Sequence, residues 1–112
     1  MSTNLAMTED ENRIRRYFEL APGPGVDAYF AQFSADAIVE DEGNTYRGVA
    51  AIRAWRTTVP RVVYTVQDVE KSATEHVAIV DIAGDFPGSP VQLRFRFRFA
   101  ADGLIDFLAI AP

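Results

Sequence analysis

The chain has no cysteine and a single histidine among its 112 residues. Without cysteine there is no disulfide, no thiolate nucleophile and no cysteine-ligated zinc. One histidine, His76, leaves a transition-metal site short of its usual ligands, so no metal and no cofactor are expected. Long hydrophobic runs are missing too, and nothing approaches the roughly 20 apolar residues that span a bilayer. The N-terminus has no basic region followed by an apolar stretch, so no signal peptide is expected. A cytoplasmic location is the default, with no membrane as partner. Nor is there a basic excess: Lys and Arg total 11 against 16 Asp and Glu, a net charge of −5, which argues against a nucleic-acid partner.

What is present is apolar and regular. Hydrophobic residues make up 48% of the chain, enough for a modest core in one domain over 1–112, with 1–7 as a loose leader. Val91, Leu93, Phe95, Phe97 and Phe99 alternate with Gln92, Arg94, Arg96 and Arg98. Only a period of two sorts them this way, so the segment is a strand with one apolar face. Each phenylalanine contributes roughly 1.5–3 kcal/mol when buried, so the rest of the chain must supply a surface for that face. Residues 75–86 read as the partner strand, joined through Pro87-Gly88-Ser89-Pro90, whose residue types favour a turn. A loop of those four residues sets Ile82 opposite Phe95 and Val80 opposite Phe97, with Asp81 across from Arg96 on the outer face.

Upstream, Thr8-Glu9-Asp10-Glu11 has the form of a capping box. Ile14, Tyr17, Phe18 and Ala21 follow at helical spacing, and Pro22-Gly23-Pro24-Gly25 stops that helix. Val26, Tyr29, Phe30 and Phe33 form a second helical stripe. A brief strand, Ala37 to Asp41, turns through Glu42-Gly43-Asn44 into Thr45-Tyr46-Arg47. Gly48 opens a third helix with Val49, Ile52, Trp55 and Val59 inward, ended by Pro60. In the strand after it, Val62, Tyr64 and Val66 share a phase that Val69 breaks, which predicts a bulge near Gln67-Asp68. Ala101-Asp102-Gly103 then turns the chain into a last strand over 104–111. Helices followed by a run of strands predict an α+β fold. Three helices should cover the concave apolar face of a curved, mainly antiparallel sheet, making a cone either packed with side chains or left as a pocket.

Two stretches carry a resemblance. Phe33-Ser34-Ala35-Asp36-Ala37-Ile38-Val39-Glu40-Asp41 followed by Gly48-Val49-Ala50-Ala51-Ile52, and later Arg98-Phe99 with Gly103-Leu104-Ile105, resemble the nuclear transport factor 2-like superfamily, especially its SnoaL-like cyclases and ketosteroid isomerases. The resemblance covers nearly the whole chain and is more specific for fold than for function. It implies a cone-shaped α+β barrel with one pocket, usually dimeric through the outer sheet face. Family isomerases use a Tyr on the first helix, an Asp on the first strand and a protonated Asp as second oxyanion donor. Tyr17 and Asp41 match the first two positions, while the third falls on Phe95, leaving half of the oxyanion hole unfilled. The position of a tyrosine that supports the catalytic one falls on Arg56.

Each candidate has two readings. Asp41 is either a turn-initiating residue or an inward general base; Tyr17 is either a core tyrosine or a donor to a developing enolate. His76 shares the inward parity of Ala78, Val80 and Ile82 and is either structural or on the pocket rim. Asp106 points inward with Leu108 if the last turn has two or four residues, and outward if it has three. Arg56 either snorkels to the surface or pairs with Asp41, and an Asp41–Arg56–Asp106 set would suit an epoxide hydrolase. Phe33, Trp55, Val80, Phe95, Phe97 and Leu108 complete the expected pocket. Val77, Ile79, Ile105, Phe107 and Ala109 form an outer apolar surface suited to a homodimer. The function expected is binding of a small hydrophobic molecule with proton transfer next to a carbonyl; the alternative is a non-catalytic homodimeric binding or assembly module with a vestigial pocket.

Overall fold

The structure, a computed structural model, describes residues 8–22 and 26–112. The leader over 1–7 and most of the Pro-Gly helix stop lie outside the described residues, as does the side chain of Val26. Thr8 caps α1 (Glu9–Leu20) as its sequence predicts: its hydroxyl accepts from the Glu11 amide at 3.1 Å, and the Glu11 carboxylate accepts from the Thr8 amide at 2.9 Å. Ile14, Tyr17 and Phe18 form its buried stripe. The second helix, α2 (Val26–Phe30), is shorter than the stripe suggested. Phe33 belongs instead to β1 (Phe33–Asp41), because the Ile105 amide bonds the Gln32 carbonyl at 2.7 Å and Phe33 pairs with Ile105. Pairing with β6 takes up the backbone groups that a longer helix would have bonded internally.

Glu42 and Gly43, both at positive φ (52° and 80°), turn β1 into β2 (Asn44–Arg47). Two such residues give the hairpin twist that matches the strands. Then come α3 (Val49–Arg56), which buries Ile52 and Trp55, and four strands: β3 (Val62–Lys71), β4 (His76–Gly84), β5 (Val91–Phe99) and β6 (Ile105–Ala111). The curved sheet has the order β2-β1-β6-β5-β4-β3. Only the β1–β6 pair is parallel. This is the expected cone-like α+β arrangement, though the sheet stays open at β2 and β3 and is not a closed barrel. No helix among the described residues is long and apolar enough to cross a membrane.

The strand registers set where the side chains point. The bulge in β3 is present, between Val66 and Asp68. The β4–β5 hairpin slips by four residues from the expected pairing: Ile82 meets Val91, Val80 meets Leu93, Ala78 meets Phe95 and His76 meets Phe97. Its loop is longer than four residues, held where the Gly84 amide donates to Ser89 Oγ at 2.9 Å. An even slip leaves every side chain on its expected face: Phe95 and Phe97 are buried, and Arg94, Arg96 and Arg98 are exposed. Asp81, however, accepts from Gln67 and Gln92 at 2.7 and 2.9 Å rather than facing Arg96, and Arg96 and Arg98 reach Glu75 at 3.8 and 3.4 Å.

The last turn has three residues, closed by Ala100 N–H to Leu104 O at 2.8 Å, and pairs Phe99 with Ile105. Ile105 is therefore buried, not on the outer face. A bulge then lets Asp106 project outward, and Phe97 meets Leu108 in the core. Against this floor α1 packs edge-to-face, Tyr17 on Phe97 with centroids 5.3 Å apart and Phe18 on Phe95 at 5.0 Å.

Candidate functional site

A cavity of about 340 Å³ lies between α1, α3 and the inner face of the sheet. Val62, Ile82, Val91, Leu93, Phe95 and Ile110 wall it from the strands, with Trp55 and Val59 facing them. Its polar groups are few: Tyr17, Asp41, Glu42, Arg56 and Tyr64. A mostly apolar wall with a handful of convergent polar groups is the usual make-up of a small-molecule site.

Tyr17 comes from the buried stripe of α1, and its hydroxyl meets that of Tyr29 at 2.7 Å. A buried tyrosine needs a partner for its hydroxyl, and two on adjoining helical stripes satisfy one another. Burial pushes the Tyr17 phenol well up, the neighbouring Tyr29 and Tyr64 phenols add to this, and Arg56 pulls down only weakly. Tyr29 is also raised, by burial first, against the lowering pull of Arg56 and of its bond to Tyr17. Both phenols are thus neutral at ordinary pH.

Asp41, half-buried at the end of β1, accepts from Trp55 Nε1 at 3.0 Å. Arg56, the next residue of α3, donates to the carbonyl of Ala21 and stacks over the ring of Tyr29, 4.6 Å from guanidinium carbon to centroid. The guanidinium carbon lies 5.8 Å from the Trp55 ring. Burial acts to lower the Arg56 pKa, but the Tyr29, Tyr17 and Tyr64 phenols, once ionised, and a hydrogen bond with Tyr64 outweigh it; the net shift is upward, and the guanidinium stays charged at ordinary pH.

Of the residues singled out in the sequence, Tyr17, Asp41, Trp55, Arg56 and Phe95 line the cavity. The others do not. Phe33, Val80, Phe97 and Leu108 are buried in the core beneath or beside it. Phe33 packs on Tyr17 and Tyr29 because β1 begins there. His76 is buried at the end of β4, beside Phe99 at 6.1 Å. The four-residue slip places it opposite Phe97, away from the cavity lining. Asp106 is exposed and accepts from Ser34 Oγ at 3.1 Å, since the last turn has three residues. Arg56 does not pair with Asp41, whose nearest donor is Trp55, so the Asp41–Arg56–Asp106 set is not assembled.

Tyr29, rather than the residue at position 56, supports Tyr17. Sequence reasoning placed Tyr29 on a core stripe but missed that pairing. The signal was there: two buried tyrosines, each with a hydroxyl to satisfy. Tyr64 and Glu42 were also missed as lining residues. Among the described residues no group of three or more His, Cys, Asp or Glu could hold a metal ion.

A curved sheet, helices over its inner face and an apolar cavity between them define a class: small cone-shaped α+β proteins. No protein-family model matches the sequence, and no curated protein does. Solved structures match over nearly the full length. A candidate polyketide cyclase from Sinorhizobium meliloti is 30% identical, with 96% of this chain and 98% of that one covered and a TM-score of 0.82. A Δ5-3-ketosteroid isomerase from Mycobacterium sp. is 22% identical, covering 95% and 94%, at 0.80. An epoxide hydrolase/cyclase-like enzyme of pyran-ring formation in the polyether salinomycin is 16% identical, covering 99% and 93%, at 0.79. The chain belongs to the nuclear transport factor 2-like superfamily, among its SnoaL-like domains.

Proposed function

We propose that the chain binds a small apolar molecule bearing a carbonyl and moves a proton next to that carbonyl, with Asp41 as general base and Tyr17 as hydrogen-bond donor. One observation carries the reading: Asp41 and Tyr17 line the same apolar cavity. Trp55 fixes the carboxylate of Asp41, which lowers the cost of orienting a base. Tyr17 keeps its proton because burial disfavours the phenolate. When Tyr29 donates to Tyr17, the Tyr17 proton is free for a ligand oxygen. No cofactor enters this chemistry.

The competing reading, a homodimeric binding or assembly module, is favoured by Phe95. Its ring fills the place of a second oxyanion donor and packs on Phe18 at 5.0 Å. The two readings part in deuterated buffer. With a cyclic β,γ-unsaturated ketone as probe, an enzyme exchanges the acidic C–H faster than buffer does and loses that rate in Asp41→Asn. Exchange no faster than buffer, despite measurable binding of the ketone, leaves the binding module.

A further inference from the structure

Arg56 is a charged group in an apolar cavity, and among the described residues it has no carboxylate partner. Its neighbours are the Ala21 carbonyl, the Tyr64 hydroxyl and two aromatic faces, Tyr29 and Trp55. Asp41 takes its hydrogen bond from the indole that flanks the guanidinium, not from Arg56. Tyr17 and Tyr29 supply no counter-charge, since burial holds both in their neutral forms. A half-buried cation with no counter-charge is costly, and a guanidinium presents a planar fork of donors that matches a carboxylate.

The cavity is polarised as a result. Asp41 and Glu42 sit where β1 turns into β2, beside Leu93 and Ile110. Arg56 and Tyr64 sit where α3 leads into β3, beside Val59, Pro60 and Val62. Trp55 stands between the two, bonded to Asp41 at 3.0 Å and flanking Arg56 at 5.8 Å, and Phe95, Ile82 and Val91 give the same cavity its apolar wall. From this geometry we infer that the ligand is an anionic amphiphile: an apolar, planar body with a carboxylate or equivalent oxyanion seated on Arg56, its neutral end toward Asp41. The inference rests on the proposed cavity function and narrows its substrate class.

The test compares 2-naphthoate with its neutral isostere 2-naphthamide by calorimetry, on the parent and on Arg56→Met. The parent should bind the acid at least tenfold more tightly than the amide. Arg56→Met should bring the acid down to the affinity of the amide. Should Arg56→Met fail to fold, the acid-to-amide ratio of the parent at low and high salt decides, because a charge-seated ligand loses that preference as salt rises. Equal binding of acid and amide by the parent overturns the charge assignment and leaves the cavity reading standing. Binding of neither probe overturns the cavity reading and this inference with it.

Discussion

The indole Nε1 of Trp55 donates to Asp41 Oδ2 across 3.0 Å, tying the last residue of β1 to the last turn of α3. A carboxylate at a sheet end is thereby held on the cavity instead of turning with the Glu42–Gly43 loop. Asp41→Asn keeps an acceptor for the indole but removes the base. Proton exchange on a ketone probe should fall by roughly 10²–10⁴ while the melting temperature barely moves. Trp55→Phe keeps an aromatic wall and removes the donor, and should slow exchange by roughly ten- to a hundredfold, the worth of a hydrogen bond to a charged group. A large drop in melting temperature for Asp41→Asn, with exchange unchanged, would mark Asp41 as a structural residue.

Much of this was legible because periodicity is a strong signal. The alternation from Val91 to Phe99 set both faces of β5, and an even slip in register could not undo it. The capping box at Thr8 and the phase break at Val69 were equally local. What escaped depends on counts of loop residues. Three residues in the last turn rather than two or four moved Asp106 outside and Ile105 inside. Phe33 fits the helical stripe as well as a strand, because the two share apolar residues at their junction, and only the pairing with Ile105 decides between them. The Tyr17–Tyr29 contact is tertiary, so spacing alone could not reveal it.

That contact has an energetic signature. Tyr17→Phe or Tyr29→Phe each leaves one buried hydroxyl without its partner, at about 1–3 kcal/mol. The double variant removes both hydroxyls and should cost clearly less than the sum of the two. Urea unfolding of the four proteins measures this. Strict additivity would mean that the 2.7 Å contact contributes no coupling.

The same pair makes alkaline stability predictable. Both phenols are raised above the ordinary value of 10.0 in the folded chain, chiefly by burial. A raised folded value means that the unfolded chain loses these protons first. Stability is then fully present below pH ~10 and is lost as pH rises from there toward the folded values, by about 1.4 kcal/mol per pH unit for each phenol. Absorbance of tyrosinate at 295 nm should show Tyr17 and Tyr29 ionising only with unfolding. In the double Phe variant the loss of stability above pH 10 should be shallower.

The outer sheet face bears on assembly. Val77, Ile79 and Phe107 lie half-buried on either side of the β5 arginines, with Arg98 over the Phe107 ring at 4.4 Å. Water is a poor covering for such a face, which supports the proposed two-fold homodimer. Ile79→Glu or Phe107→Arg should give folded monomers by sedimentation velocity. A monomeric parent at micromolar concentration would remove the dimer.

Phe95 offers the sharpest separation of enzyme from binding module. It is 3% exposed, pairs with Ala78 and Ile110 across the sheet, and packs on Phe18 and Tyr17 at 5.0 and 6.4 Å. Phe95→Asp puts a carboxyl where the family's isomerases keep a protonated one, and apolar burial favours its neutral, donating form. Losing the ring costs about 3–5 kcal/mol, a large share of the ~5–15 kcal/mol that holds a domain of this size together. Phe95→Leu is therefore the necessary control, since it also shortens the side chain but adds no donor. An oxyanion donor is worth on the order of 10²–10³ in rate, so folded Phe95→Asp should exchange the ketone proton at least tenfold faster than Phe95→Leu. Equal rates in two folded variants would mean that no carbonyl oxygen sits between Tyr17 and position 95, and the catalytic reading would give way to the binding module.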